Sequence, residues 1–188
     1  SMIHQEIITP LADRNNQVEA IHNVSVAITS QLALDTVLSE IAIQAGGWLN
    51  ADGVGIFLAQ VDKDIDGDTN LVLETVFNLP KTYVGMSFRV GEGLAGFVAQ
   101  TRETLYLENY ARDWKHSDDF PYAKETFGSV VCTPLIYAEQ IIGVVMVIAS
   151  QEGYVFNRQD AYLLELLGAQ AAVVIAHSRL FDQVDEAR

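Results

Sequence analysis

Three glycines spaced Gly91-x-Gly93-x-x-Gly96 open an apolar run, LAGFVAQT, much as a phosphate-cradling turn opens a helix. Glycine in such a turn lets the backbone approach an anion and aim its N–H groups at it. A dinucleotide site demands more: a long buried strand before the turn, a full crossover helix after it, and an acidic ribose ligand about 20 residues on. Here the preceding strand candidate, MSFRV, is short and carries Arg89, and Arg102-Glu103-Thr104 breaks the helix early. The glycines therefore read as a tight strand-to-helix turn whose amides remain donors for a local anion.

Two other groups of residues invite chemistry. Asp62, Asp64, Asp66 and Gly67 match the first half of a calcium loop, in which alternating carboxylates reach one hard cation. The bidentate twelfth position is Leu73, with Glu74 one residue late, and strands rather than helices flank the loop. The segment reads as a hairpin tip whose Asp, Gly and Asn serve turn geometry; an adventitious or structural calcium is the alternative. The single cysteine, Cys132, lies within a strand and reads as a small core hydrophobe. A thiol–disulfide cycle would lack its resolving partner. With no Gly-x-Ser-x-Gly elbow, no Walker loop and no His-Glu-x-x-His, the expectation is a non-catalytic chain.

The elements that must hold these residues follow from periodicity. Val18, Ile21, Val24, Ile28 and Leu32 predict an amphipathic helix over Asp13–Leu32. Asp35 is placed to cap a second helix, with Val37, Leu38, Ile41, Ala42, Ala45 and Trp48 on its apolar face. Strands are expected at Val54–Val61 and Leu71–Phe77, in TLYL, and at Ser129–Ala138 and Gln140–Ser150, the last two joined by a tight turn at Ala138-Glu139-Gln140. Asn157 caps a final helix running to about residue 185, with Asp160 in its first turn. This order predicts an α+β fold, an α/β/α sandwich with a central antiparallel sheet and the terminal helices packed on one face.

The stretch Val90–Tyr110, the paired strands SVVCTPLIYAEQIIGVVMVIAS with their Pro-Leu and Ile-Gly landmarks, and the helix FNRQDAYLLELLGAQAAVVIAHSRLF together resemble the GAF domain family. These are small-molecule and photosensory modules of signalling proteins, and the resemblance runs from roughly Leu32 onward. It implies a division into an N-terminal helix (1–31, with Ser1 a tag-cleavage scar), a GAF-like domain (32–178) and the end of a long signalling helix (179–188). It also implies a ligand pocket on the loop face, for which we take Phe97, Tyr110, Trp114, Phe120, Tyr122, Ser129 and Val131 as lining. The alternative is that the same rings plug the open face of the sheet.

The ligand stays unidentified at this level. Bilin-binding relatives attach the chromophore through a cysteine usually followed by His, but Thr133-Pro134 follow Cys132. Haem-binding relatives use a histidine; His116 is the histidine of the aromatic segment and reads as solvent-exposed. Of the cyclic-nucleotide pattern, Phe156 and Asp160 are present, whereas Ser150-Gln151 stand for Asn-Lys and Ala161 for Glu. Helix capping explains the retained pair better.

Net charge is −14, and the Lys and Arg residues are scattered singly. That excludes a nucleic-acid backbone or anionic membrane surface as the natural partner. Hydrophobic residues make up 49% of the 188, enough for a sizeable core. No apolar run approaches the roughly 18 residues that read as a membrane span, and the lone cysteine fits a reducing, cytoplasmic setting. Leu167, Val174 and Phe181, interleaved with Leu163, Gln170, His177 and Val184, form a weak heptad that suggests a homodimer through the terminal helices. The expected function is thus a small-molecule sensor signalling through those helices, with a ligand-free structural dimerisation module as the alternative.

Overall fold

The computed structural model describes residues 33–61 and 69–186. Residues 33–48 form α1, followed by β1 (Gly53–Val61) and β2 (Thr69–Phe77). A one-turn 3-10 helix (Lys81–Tyr83) leads to β3 (Ser87–Arg89), α2 (Gly93–Thr101) and β4 (Leu105–Leu107). Short helices α3 (Tyr110–Asp113) and α4 (Ala123–Thr126) precede β5 (Phe127–Tyr137), β6 (Gln140–Ser150) and the long α5 (Arg158–Glu186).

The strands form one six-stranded sheet in the order β3-β2-β1-β6-β5-β4, with every neighbouring pair antiparallel. The expected antiparallel sheet and α+β class are thus observed. Ala138 and Glu139 close the β5–β6 hairpin with positive φ (50° and 65°), the twist that tight hairpin turns require.

The sheet is covered on both sides. On one, Leu34, Leu38, Ala42 and Ala45 of α1 and Leu164, Ala172 and Ile175 of α5 pack against Ile56, Val131, Val145 and Val147. On the other, Phe57, Leu73, Cys132, Val144 and Met146 lie under α2 and the aromatic segment. Burial on both faces explains the unbroken apolar run of β6, where alternation is absent because neither side meets water. The N-terminal helix expected at Asp13–Leu32 and the aspartates at 62, 64 and 66 lie outside the described residues.

Two expectations for α1 change. Residue 33 is already helical, so Asp35 sits inside the helix instead of capping it. Trp48 is 55% exposed, and Leu34 and Leu49 take places on the buried face, which runs 34, 38, 41, 42, 45, 49. One position is about 100° around a helix, enough to turn Trp48 outward.

α5 begins with a reciprocal cap: Asp160 N–H donates to Asn157 Oδ1 (3.0 Å) and Asn157 N–H to Asp160 Oδ2 (2.9 Å). Further along, Arg179 Nη2 donates to the Ala59 carbonyl (2.8 Å), tying the helix to β1. The window Arg158–Arg179 has the length and mean hydropathy (1.4) of a bilayer-crossing helix, yet 44% of it is buried, much of it against the chain's own sheet. The heptad residues divide: Leu167 is buried against the sheet, while Val174, Gln170 and His177 face outward.

Candidate functional site

The aromatic segment is built by a small capping device. Asn109 Oδ1 accepts from Arg112 N–H (3.0 Å), and Asp113 Oδ2 accepts from Asn109 N–H (3.1 Å), fixing α3. Tyr110 and Trp114, four residues apart, then share one side of that turn and point inward. Tyr110, Trp114 and Phe120 are each 4% exposed or less. Their polar atoms are satisfied within the segment: Tyr110 OH donates to Asp118 Oδ1 (2.9 Å), and Trp114 Nε1 donates to the Ser117 carbonyl (2.9 Å). Burial and the Asp118 hydrogen bond push the Tyr110 hydroxyl well above its usual range. Phe120 packs against Phe57, Tyr83 and Phe127 at centroid distances of 6.1, 5.4 and 5.8 Å. These rings plug the open face of the sheet.

The other expected lining residues scatter. Phe97 is 36% exposed, its ring edge-on to Trp114 at 5.7 Å. Val131 points into the helix-side core, on the far side of the sheet from the rings. Ser129, two residues away on the same strand, shares that side. Its Oγ donates to the Leu107 carbonyl (2.8 Å) and accepts from Phe156 N–H (2.9 Å), fastening the approach to α5. Of the seven, Tyr122 alone lines the open cleft.

That cleft, of about 290 Å³, lies beside the plug. Four separated segments frame it: Asp52 and Gly53 entering β1, Asn78–Pro80 with Tyr83, Pro121–Tyr122 with Thr126 and Phe127, and Ile148 with Ser150 ending β6. Tyr122 holds left-handed backbone (φ 58°, ψ 24°) and is 75% exposed. Such a conformation is sterically disfavoured for a bulky side chain and clusters at functional positions. Asn78 Nδ2 donates to the Asp52 carbonyl (2.7 Å), and Asp52 Oδ2 accepts from Ser150 N–H (2.7 Å), so the polar end of the cleft is cross-braced.

The glycine turn turns out to be an anion cradle that the chain fills itself. Glu92, the N-cap of α2, gives no side-chain cap to its amides. Asp119 does so from across the loop: Oδ1 accepts from Leu94 N–H (2.6 Å) and Oδ2 from Ala95 N–H (2.9 Å), while Ser117 Oγ accepts from Gly93 N–H (3.2 Å). Gly93 has φ +69°, and a Cβ there would stand 2.7 Å from Asp119 Oδ1. Burial pushes the Asp119 carboxyl up to about 6, with the two amide hydrogen bonds pulling the other way. Sequence reading missed Asp119; the uncapped helix start was the available signal.

Cys132 is fully buried, its thiol pushed up by burial, as a core hydrophobe would be. His116 is exposed, its ring edge-on to Trp114 at 5.1 Å. Phe156 is buried in the helix-side core and Asp160 is engaged in the α5 cap, so this pair has structural work.

A six-stranded antiparallel sheet with α1 and α5 on one face, and α2, the aromatic segment and a loop-framed cleft on the other, defines an α+β module. The model of the GAF domain family matches residues 24–176, and the chain belongs to that family, one of signalling and sensory modules. It is 31% identical over 98 residues to the probable 3',5'-cyclic phosphodiesterase pde-5 of Caenorhabditis elegans, a match spanning 52% of this chain and 13% of that relative. The fold superposes on the GAF domain of the Acinetobacter phosphoenolpyruvate-protein phosphotransferase with a TM-score of 0.61 at 26% identity, covering 80% of this chain and 95% of that one. It also superposes on the GAF-B domain of DevS from Mycobacterium smegmatis, with a TM-score of 0.63 at 17% identity over 80% and 98% of the two chains.

Proposed function

We propose that this chain is a non-catalytic sensory module that binds a small molecule in the Asp52–Tyr83–Tyr122–Phe127 cleft and passes the event to α5. The observation that carries this reading is the position of the cleft. Its wall includes Ile148 and Ser150, the end of the strand that leads into α5. A ligand that prefers one arrangement of this strand end biases the helix by its difference in affinity for the two arrangements. A cytoplasmic setting belongs to the same reading. The test is backbone NMR against a library of neutral, cationic and anionic small molecules. Binders are expected to shift amides of residues 52–53, 78–83, 121–127 and 148–150 together with amides in α5. A library in which no compound moves the cleft amides overturns the reading.

Homodimerisation is a second element, favoured by an exposed stripe on α5. Tyr162, Leu166 and Val173 recur at helical spacing and are 62%, 47% and 41% exposed. Apolar side chains in such a row call for a covering surface, and a second copy supplies the same row. Leu166→Glu is expected to convert a dimer to monomer in light scattering without loss of helicity, since Leu166 faces away from the core. A wild-type monomer at high concentration removes the dimer, and the ligand-free dimerisation module with it.

A further inference from the structure

The lining of the cleft is selective in charge. Among its residues Asp52 alone carries a charge at neutral pH. Its carboxylate is held at the rim by the Ser150 amide. Lys81 and Lys124, sequence neighbours of lining residues, are exposed and contribute nothing to the wall. Two potential donors are already committed: Asn78 Nδ2 to the Asp52 carbonyl and Thr126 Oγ1 to the Tyr122 carbonyl (2.8 Å). An entering anion would meet a carboxylate and no basic side chain in the lining, with only neutral donors such as the Tyr83, Tyr122 and Ser150 hydroxyls to hold it. A cation would meet a lining that includes three aromatic side chains, Tyr83, Tyr122 and Phe127, and one carboxylate, Asp52.

Aromatic faces attract cations through the ring quadrupole, and strong desolvation is not needed for a measurable effect. The net charge of −14 raises the local concentration of cations around the whole chain. Tyr122, on left-handed backbone, is 75% exposed, so its ring stands at the mouth of the cleft and outside the core. We infer that the cleft takes a small organic cation, an alkylammonium or quaternary ammonium group seated against the Tyr83, Tyr122 and Phe127 rings and countered by Asp52. This inference rests on the ligand-binding reading of the same cleft and specifies its ligand class.

The test titrates the chain with choline, with its neutral isostere 3,3-dimethylbutan-1-ol and with the anion 3,3-dimethylbutanoate, at constant ionic strength, following amide shifts. Choline is expected to bind at the cleft about 10-fold more tightly than the alcohol, and the anion not to saturate. Asp52→Asn, which keeps an acceptor for Ser150 N–H, is expected to bring choline within about twofold of the alcohol. Tyr122→Asn removes the ring while suiting left-handed backbone, so it should weaken choline by about threefold with an unchanged or raised melting temperature. Equal binding of choline and the alcohol overturns the cation assignment and leaves the cleft a small-molecule site. Choline shifts confined to residues outside the cleft, or no binding by any of the three, also overturn it, while the broader library separately decides whether the cleft binds anything.

Discussion

Replacing Trp114 by alanine is expected to lower the unfolding free energy by about 4 kcal/mol, within the range for removing a buried tryptophan. For a chain of this size that corresponds to a fall in Tm of roughly 10 °C. Trp114 is 4% exposed and packs edge-on with Phe97, and its Nε1 holds the Ser117 carbonyl. Its loss opens a cavity under the 114–120 loop, and that loop delivers Ser117 and Asp119 to the start of α2. The cost therefore spreads from one ring to the whole cover of the sheet. Trp114→Phe keeps most of the volume and loses the indole donor, so it should cost about 1 kcal/mol. Differential scanning calorimetry of both variants separates a structural plug from a ligand-facing ring. A shift below about 3 °C in Trp114→Ala would contradict the plug.

The fold was legible where its signals are local. The apolar run of β6, the turn at Ala138–Glu139 and the Asn157 cap each rest on residues close in sequence, and each forms as expected. The faces of β5 were not legible. Period-two alternation puts Ser129 and Val131 together, but both sides of this strand are apolar, so the pattern cannot say which side they join. Only the packing of α1 and α5 decides it. The cleft was hidden for a related reason: its wall comes from segments nearly 100 residues apart, and of the seven residues expected to line a pocket only Tyr122 belongs to it. Asp119 gave no local signal, because its partners lie 24 and 25 residues upstream.

Removing the Asp119 carboxylate is expected to be nearly as costly as removing Trp114, and its effect should depend on pH. Asp119→Ala leaves the Leu94 and Ala95 amides at a buried helix start without their acceptor, a loss of about 3 kcal/mol. Asp119→Asn isolates the titration. With the folded carboxyl raised from 3.8 to about 6 by burial, and further by the nearby Asp118 and Glu92, the folded chain keeps a proton that the unfolded chain releases between those values. Stability from this group is therefore fully present below about pH 4 and falls as pH rises through about 6. The shift is worth about 3 kcal/mol across that window. Urea unfolding of wild type and Asp119→Asn should give a wild-type advantage that shrinks from about pH 4 to about pH 7 by that amount. Parallel pH profiles would mean that the two amide hydrogen bonds offset the burial and hold Asp119 ionised throughout. In either protonation state the carboxyl fills the glycine turn, so an external anion could enter there only by first displacing the 114–120 loop.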